Sequence, residues 1–181
     1  MSIFEFAFSL FGLLLGLSLA ELLGGFARYV EVRRSARLGW LTPLLAVLML
    51  LDIVSFWASA WFFRDSLDFS FPSLLAVTVF AGAYYVGAYL VFPREIAGHV
   101  DLDEHYFAIR RPVLGIILAA NLIQFAVFSW LRGWDSIGLG LSASFAVFSV
   151  LLVANMFVRG QRATPGVLAL SIAVYLGNLL G

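Results

Sequence analysis

The chain has 181 residues, 62% of them apolar and only 12% charged; 11 acidic residues balance 11 basic ones, all arginine, and there is no cysteine. Soluble domains carry about 25% charged and roughly 45–50% apolar residues, so this composition describes a membrane protein and excludes an ordinary soluble enzyme, a disordered tail and a disulfide scaffold. Zero net charge offers no basic surface for nucleic acid, and without cysteine there is no thiolate nucleophile, thiol redox couple or cysteine-ligated metal.

A helix needs about 20 predominantly apolar residues to cross the hydrocarbon core. On that criterion the chain reads as all-α, a single transmembrane domain over 1–181 with six spanning helices. The first covers 3–23, with Glu21 near its end; Met1-Ser-Ile-Phe-Glu5 lacks the basic start of a signal peptide, so this helix is expected to stay. The second, 40–63, is apolar but for Asp52. The third covers 71–92, the fourth opens on Pro112 and runs to 131, and the last two cover 136–158 and 164–181, all four free of charged residues.

Arginine sets the expected direction, because positive charge stays on the cytoplasmic side. Arg28, Arg33, Arg34 and Arg37 follow the first span, Arg94, Arg110 and Arg111 the third, and Arg159 and Arg162 the fifth, whereas the other two loops hold only Arg64 and Arg132. Both termini are therefore expected outside. Trp40 falls at an inner edge and Trp61, Trp130 and Trp134 at outer edges, where indoles favour the interface. Trp57 lies one turn deeper.

An offset of 69 residues aligns the second span with the fourth: Pro43, Asp52, Ser55, Phe56 and Trp61 fall opposite Pro112, Asn121, Gln124, Phe125 and Trp130. Thr164-Pro165 repeats Thr42-Pro43 at the start of the sixth span. The pattern predicts three parallel helical hairpins, each proline reading first as punctuation at a helix start. Nine residues beyond the proline, at about 1.5 Å each, Asp52 and Asn121 reach the midplane of a core about 30 Å thick. Ser55 and Gln124 follow three residues later on the same faces. Gly12 and Gly16, Ala83 and Gly87, and the series Ala169, Ala173 and Gly177 have the spacing at which small residues let membrane helices approach.

An acid in hydrocarbon faces a partner or a water-filled cavity. Asp52, Ser55, Asn121 and Gln124 are thus candidates for an ion or substrate pathway, with Glu21 and Asn155 as an inner vestibule. The alternatives are a buried tie from Asp52 to Asn121 or Gln124, and a Glu21 salt bridge to an interfacial arginine. Dry packing by Phe56, Trp57 and Phe125 would mark the tie, and a polar path to Asp52 would mark conduction. His99, Asp101, Asp103 and His105 in the third loop are chemically acceptable metal ligands, but their spacing matches no motif with known mechanics, and an acidic loop facing Arg110 and Arg111 needs no metal. No cofactor is expected: there is no phosphate-binding glycine loop, no lysine for a retinal Schiff base, and no membrane histidine for haem.

Gly16-Leu17, Glu21, Gly25, Arg28, Arg33-Arg34 and Gly39-Trp40, then Phe92-Pro93 and Asp101-Leu102-x-x-His105-Tyr106-x-x-x-Arg110-Arg111, resemble a family of short six-helix bacterial inner-membrane proteins with no assigned activity. The likeness covers roughly residues 10–115. It implies a bacterial plasma membrane, multi-pass, and carries no substrate or catalytic residue. Three functional readings stand: a small channel or transporter for protons, ions or a small solute around Asp52; a non-catalytic membrane subunit or sensor whose third loop binds a partner protein; and a membrane enzyme using the His99 to His105 cluster. The expected partners are the lipid bilayer and a second copy or larger membrane complex, because so small a bundle leaves little room for a private pore.

Overall fold

The computed structural model describes residues 3–32, 39–62, 70–94, 101–133, 137–160 and 163–180. Arg33, Arg34, Arg37, Arg64, Arg162, His99 and Trp134 lie outside the described residues. The described residues form an all-helical structure with six helices: α1 Ile3–Val32, α2 Leu41–Phe62, α3 Phe71–Val91, α4 Leu102–Arg132, α5 Leu139–Phe157 and α6 Ala163–Leu180. The first five are long and apolar enough to cross a membrane, and α6 is a shorter apolar helix.

Two helices are longer than their hydropathy suggests. α1 has 30 residues and continues past Glu21 through Gly24 and Gly25 as far as Val32. α4 has 31 residues and starts at Leu102, ten residues before Pro112, so this proline is interior and does not open the helix. The start belongs to Asp101, whose carboxylate accepts from the backbone N–H of Asp103 at 2.8 Å and of Glu104 at 3.3 Å. A side-chain acceptor there satisfies N–H groups that have no intrahelical partner, and Asp103 and Glu104 in the first turn suit the positive end of the helix dipole. Pro112 only removes one backbone donor from a helix already established.

α2 is the central helix: it touches α1, α3, α4 and α6, whereas α1 touches only α2 and α3, and α5 only α4 and α6. Half of its apolar window is buried, against 17–28% in the other four long helices. Along α2, Thr42 meets Leu102, Asp52 meets Asn121 and Ser59 meets Gln124, so α2 and α4 run in the same direction. Phe125 of α4 stacks on Phe145 of α5, and Phe148 of α5 lies against Tyr175 of α6. Exposed Trp40 stands at one end of the bundle and exposed Trp61 and Trp130 at the other. Trp57 is a packing residue, set against Gly12 and the Phe8 ring.

The small-residue pairs divide. Gly87 admits the Met49 methyl, which a Cβ there would approach to 2.7 Å, and Gly12 admits Trp57. Gly16 and Gly177 meet nothing within 4 Å, and Ala169, Ala173 and Gly177 all face outward. The α6 series is therefore not a packing face inside one chain. A much closer glycine contact joins α1 to the end of α3: buried Gly25 lies directly under the Phe92 ring, which also meets Phe26 edge-on at 5.3 Å. Gly25→Ala should drive a methyl into that ring and lower stability by about 1–3 kcal/mol, as overpacking does. Gly16→Ala, made in open space, should be neutral or slightly stabilising because alanine favours helix. Thermal unfolding of the two variants in detergent checks this; equal melting temperatures would contradict the Gly25–Phe92 contact.

Candidate functional site

Asp52 lies on the face of α2 turned toward α3, α4 and α6, with 1% of its surface exposed. A buried carboxylate is stable only if donors reach it, and none stands on its own helix within reach. The donors come from the three neighbours. Asn121 Nδ2 of α4 donates to Oδ1 at 2.7 Å, the Tyr175 hydroxyl of α6 donates to Oδ1 at 3.0 Å, and the Tyr84 hydroxyl of α3 donates to Oδ2 at 2.8 Å. The two residues that the internal repeat aligns are thus bonded directly to each other. Asn121 spends its second N–H on the Ile117 carbonyl at 2.9 Å.

A hydroxyl chain continues from the cluster. A phenol has one proton; Tyr175 gives its proton to Asp52 and so accepts from Ser55 Oγ, with which it shares a short hydrogen bond. Ser55 lies one turn along α2 from Asp52, as the spacing of three predicts. Gln124 does not bond to Ser55: its Nε2 reaches one turn further and donates to Ser59 Oγ.

The surroundings differ on the two flanks. Toward α1 and α3 the cluster is dry, because Phe56 stacks on Phe80 at 4.5 Å and meets Tyr84 at 5.4 Å and Phe11 at 5.3 Å. Toward α4, α5 and α6 there is a cavity of about 490 Å³, lined at one end by Ser55, Asn121 and Tyr175 and at the other by Arg132 and Asn178. Phe125 belongs to this wall. Polar lining therefore runs from the Trp130 end of the bundle to the groups that hold Asp52, and Asp52 itself lies behind them. Below the cluster, toward the Trp40 end, Leu45, Leu48, Met49, Leu114, Ile117 and Leu152 are fully buried. The cavity is one-sided.

The remaining candidates are elsewhere. Glu21 and Asn155 do not form a vestibule, since α1 makes no contact with α5; Glu21 forms no ion pair with Arg28 among the described residues. Asn155 is fully buried and donates to Ser171 Oγ of α6 at 2.9 Å. Beside it Arg110, 1% exposed, donates to the Asn155 carbonyl at 3.0 Å and to the Val158 carbonyl. These are terminal carbonyls of α5, where the helix dipole favours a cation. The Phe107 ring lies 4.9 Å from the same guanidinium.

The third-loop cluster is distributed over a junction between helices. Asp101 caps α4, Asp103 Oδ1 accepts from the Leu41 N–H at 3.0 Å, and His105 Nε2 bonds to the Leu90 carbonyl at 3.1 Å. Gly39 leaves the space Asp103 needs, for a Cβ there would collide with its carboxylate. Thr42 Oγ1 donates to the Leu102 carbonyl at 2.7 Å in the same junction. Among the described residues no three metal-binding side chains come together, and His99 lies outside them.

Tyr84, Tyr175, Ser59 and Ser171 are site or network residues that the sequence reading passed over. Their signal is a hydroxyl in the middle of an apolar span, which needs a buried partner just as Asp52 does.

Asparagine at position 52 keeps one acceptor for Asn121 and Tyr175, and its amide donates to a Tyr84 hydroxyl that rotates to accept. Leucine strands three donors. With about 0.6 kcal/mol for an average hydrogen bond between membrane helices, Asp52→Leu should lose about 2 kcal/mol or more, and Asp52→Asn well under half of that. Equilibrium unfolding in mixed micelles measures both; equal losses would show that the donor set is not what holds α2. No protein-family model, curated protein or solved structure matches the chain, so its chemistry rests on the Asp52 cluster and the cavity beside it.

Proposed function

We propose that the chain is a small multi-pass membrane transporter in which the cavity is the entrance and the Asp52 cluster the central gate and proton-coupling group. The observation that carries this reading is the cavity of about 490 Å³ reaching from Arg132 and Asn178 to Ser55, Asn121 and Tyr175. Transporters place their sites near the midplane, between repeats, and here the repeat-related Asp52 and Asn121 meet at the cavity's end. One-sided access, closed by buried leucines toward the Trp40 end, suits alternating access better than an open channel. Coupling has a physical route: a proton delivered to Ser55 from the cavity passes along the Ser55 and Tyr175 hydroxyls to Asp52 Oδ1 as Tyr175 hands over its own.

The arginine distribution supports three parallel hairpins in a bacterial plasma membrane, with both termini outside and the cavity facing the periplasm. The outward series Ala169, Ala173 and Gly177 gives a second copy a surface it can approach closely. A second reading, a non-catalytic membrane subunit, is favoured by one observation: Asp52 is buried and fully satisfied by three helices, as a structural tie would be.

Flux separates the two. In proteoliposomes the wild type should move solute with a proton gradient, and Asp52→Asn and Tyr175→Phe, which keep the packing but break the relay, should reduce gradient-driven flux at least tenfold. Undiminished flux through folded Asp52→Asn would remove the residue from the mechanism. Absence of flux from every variant under any gradient would favour the subunit reading.

A further inference from the structure

At the inner end of the cavity the polar side chains have committed their protons and kept lone pairs. Both N–H groups of Asn121 go to Asp52 and Ile117, so its Oδ1 has no donor among the described residues. Gln124 gives Nε2 to Ser59, whose own proton goes to the Ser55 carbonyl, and this leaves Gln124 Oε1 in the same state. The Ser55 and Tyr175 protons run toward Asp52. Neither amide oxygen is sealed in protein, and both residues line the cavity, three positions apart on one face of α4. Behind Asn121, at 2.7 Å, is the Asp52 carboxylate. Around the two oxygens the wall is aromatic: Phe125, Phe128, Phe145 and Phe148 line it, and Phe125 and Phe145 stack at 4.1 Å.

We infer that the inner end of the cavity binds a compact primary ammonium with an aromatic or apolar body, its N–H groups donating to Asn121 Oδ1 and Gln124 Oε1 and its body lying against Phe125, Phe145 and Phe148. An ammonium carries three donors and no acceptor, which matches a floor that offers acceptors, and phenyl faces attract a cation. A carboxylate or phosphate meets the reverse of what it needs, oxygen lone pairs with a like charge behind them. A bare metal ion such as calcium takes about 6–8 oxygens, far more than two amides supply. With hydrogen bonds of about 2.9 Å, the ammonium nitrogen stands no more than about 8 Å from the Asp52 carboxylate. Arg132 is exposed and on the Phe128 ring, a rise of roughly 12 Å along α4 from Gln124, where water and salt screen it. The volume of about 490 Å³ suits a single small molecule. As cargo this ligand rests on the transport reading: a proton taken up at Asp52, which Tyr84 and Tyr175 face from α3 and α6, cancels the charge that holds the ammonium, so cation and proton exchange.

The test is equilibrium binding to the full chain in nanodiscs of zwitterionic lipid, with no gradient present, so that it is read independently of flux. The probes are phenethylamine, which stays protonated at neutral pH, its neutral counterpart phenethyl alcohol and its anionic counterpart phenylacetate. Phenethylamine should bind at least tenfold more tightly than either. Asp52→Asn, which keeps the packing, should remove most of its advantage over phenethyl alcohol, and Gln124→Leu should weaken phenethylamine binding at least threefold, with thermal unfolding confirming that both variants fold. Equal affinity for amine and alcohol, tighter binding of phenylacetate than of the amine, or an advantage of the amine undiminished in folded Asp52→Asn would each overturn the inference. Flux without phenethylamine binding would reject this ligand class and leave the transport reading standing, whereas phenethylamine binding without flux would do the reverse.

Discussion

A carboxyl group sealed in an apolar bundle must draw its hydrogen-bond donors from other helices, and Asp52 draws one each from α3, α4 and α6. Between membrane helices there is little hydrophobic force to discriminate one packing from another, so a directional requirement of this kind has unusual influence. Rotating α2 by one residue would break all three bonds together. The centrality of α2 follows from this: the helix with the buried acid is the one every neighbour except α5 must touch.

The ends of the bundle obey the same rule by different means. At the Trp40 end, Asp103 and Thr42 join the start of α2 to the start of α4, and Arg110 fixes the end of α5 through its carbonyls. Asp103, Thr42, His105 and Arg110 at this end bond to backbone, and fully buried Leu45, Leu48, Leu114 and Leu152 lie between it and Asp52. At the Trp130 end the helices are held apart by rings, and the space between those rings is the cavity. A polar floor formed by Ser55, Asn121 and Tyr175 at the end of that cavity is the geometry that supports the transport reading.

Much of this was legible in the sequence where one helix sufficed to read it. Four of the six helices are legible as charge-free runs and two as apolar runs that hold Asp52 or end near Glu21, and the offset of 69 residues singles out Asp52 and Asn121, which are bonded to each other. What escaped required a second helix. Nothing along α3 or α6 says that Tyr84 and Tyr175 face an acid, because a tyrosine's partner depends on helix rotation. Glu21 and Asn155 share a depth along the sequence, yet they belong to helices that make no contact with each other. Pro112 reads as a helix start by its alignment with Pro43, but Asp101-x-x-Glu104, an acceptor at the cap with an acid three residues on, is the stronger signal.

The central claim is that water reaches the partners of Asp52 from the Trp130 end and goes no further. With no native cysteine, single substitutions Ser55→Cys, Gln124→Cys, Leu45→Cys and Leu152→Cys in reconstituted protein can be exposed to a membrane-impermeant thiol reagent from each side in turn. Positions 55 and 124 should label from the side that carries Trp130, and positions 45 and 152 from neither. Labelling at 45 and 152, or protection at 55 and 124, would contradict the account.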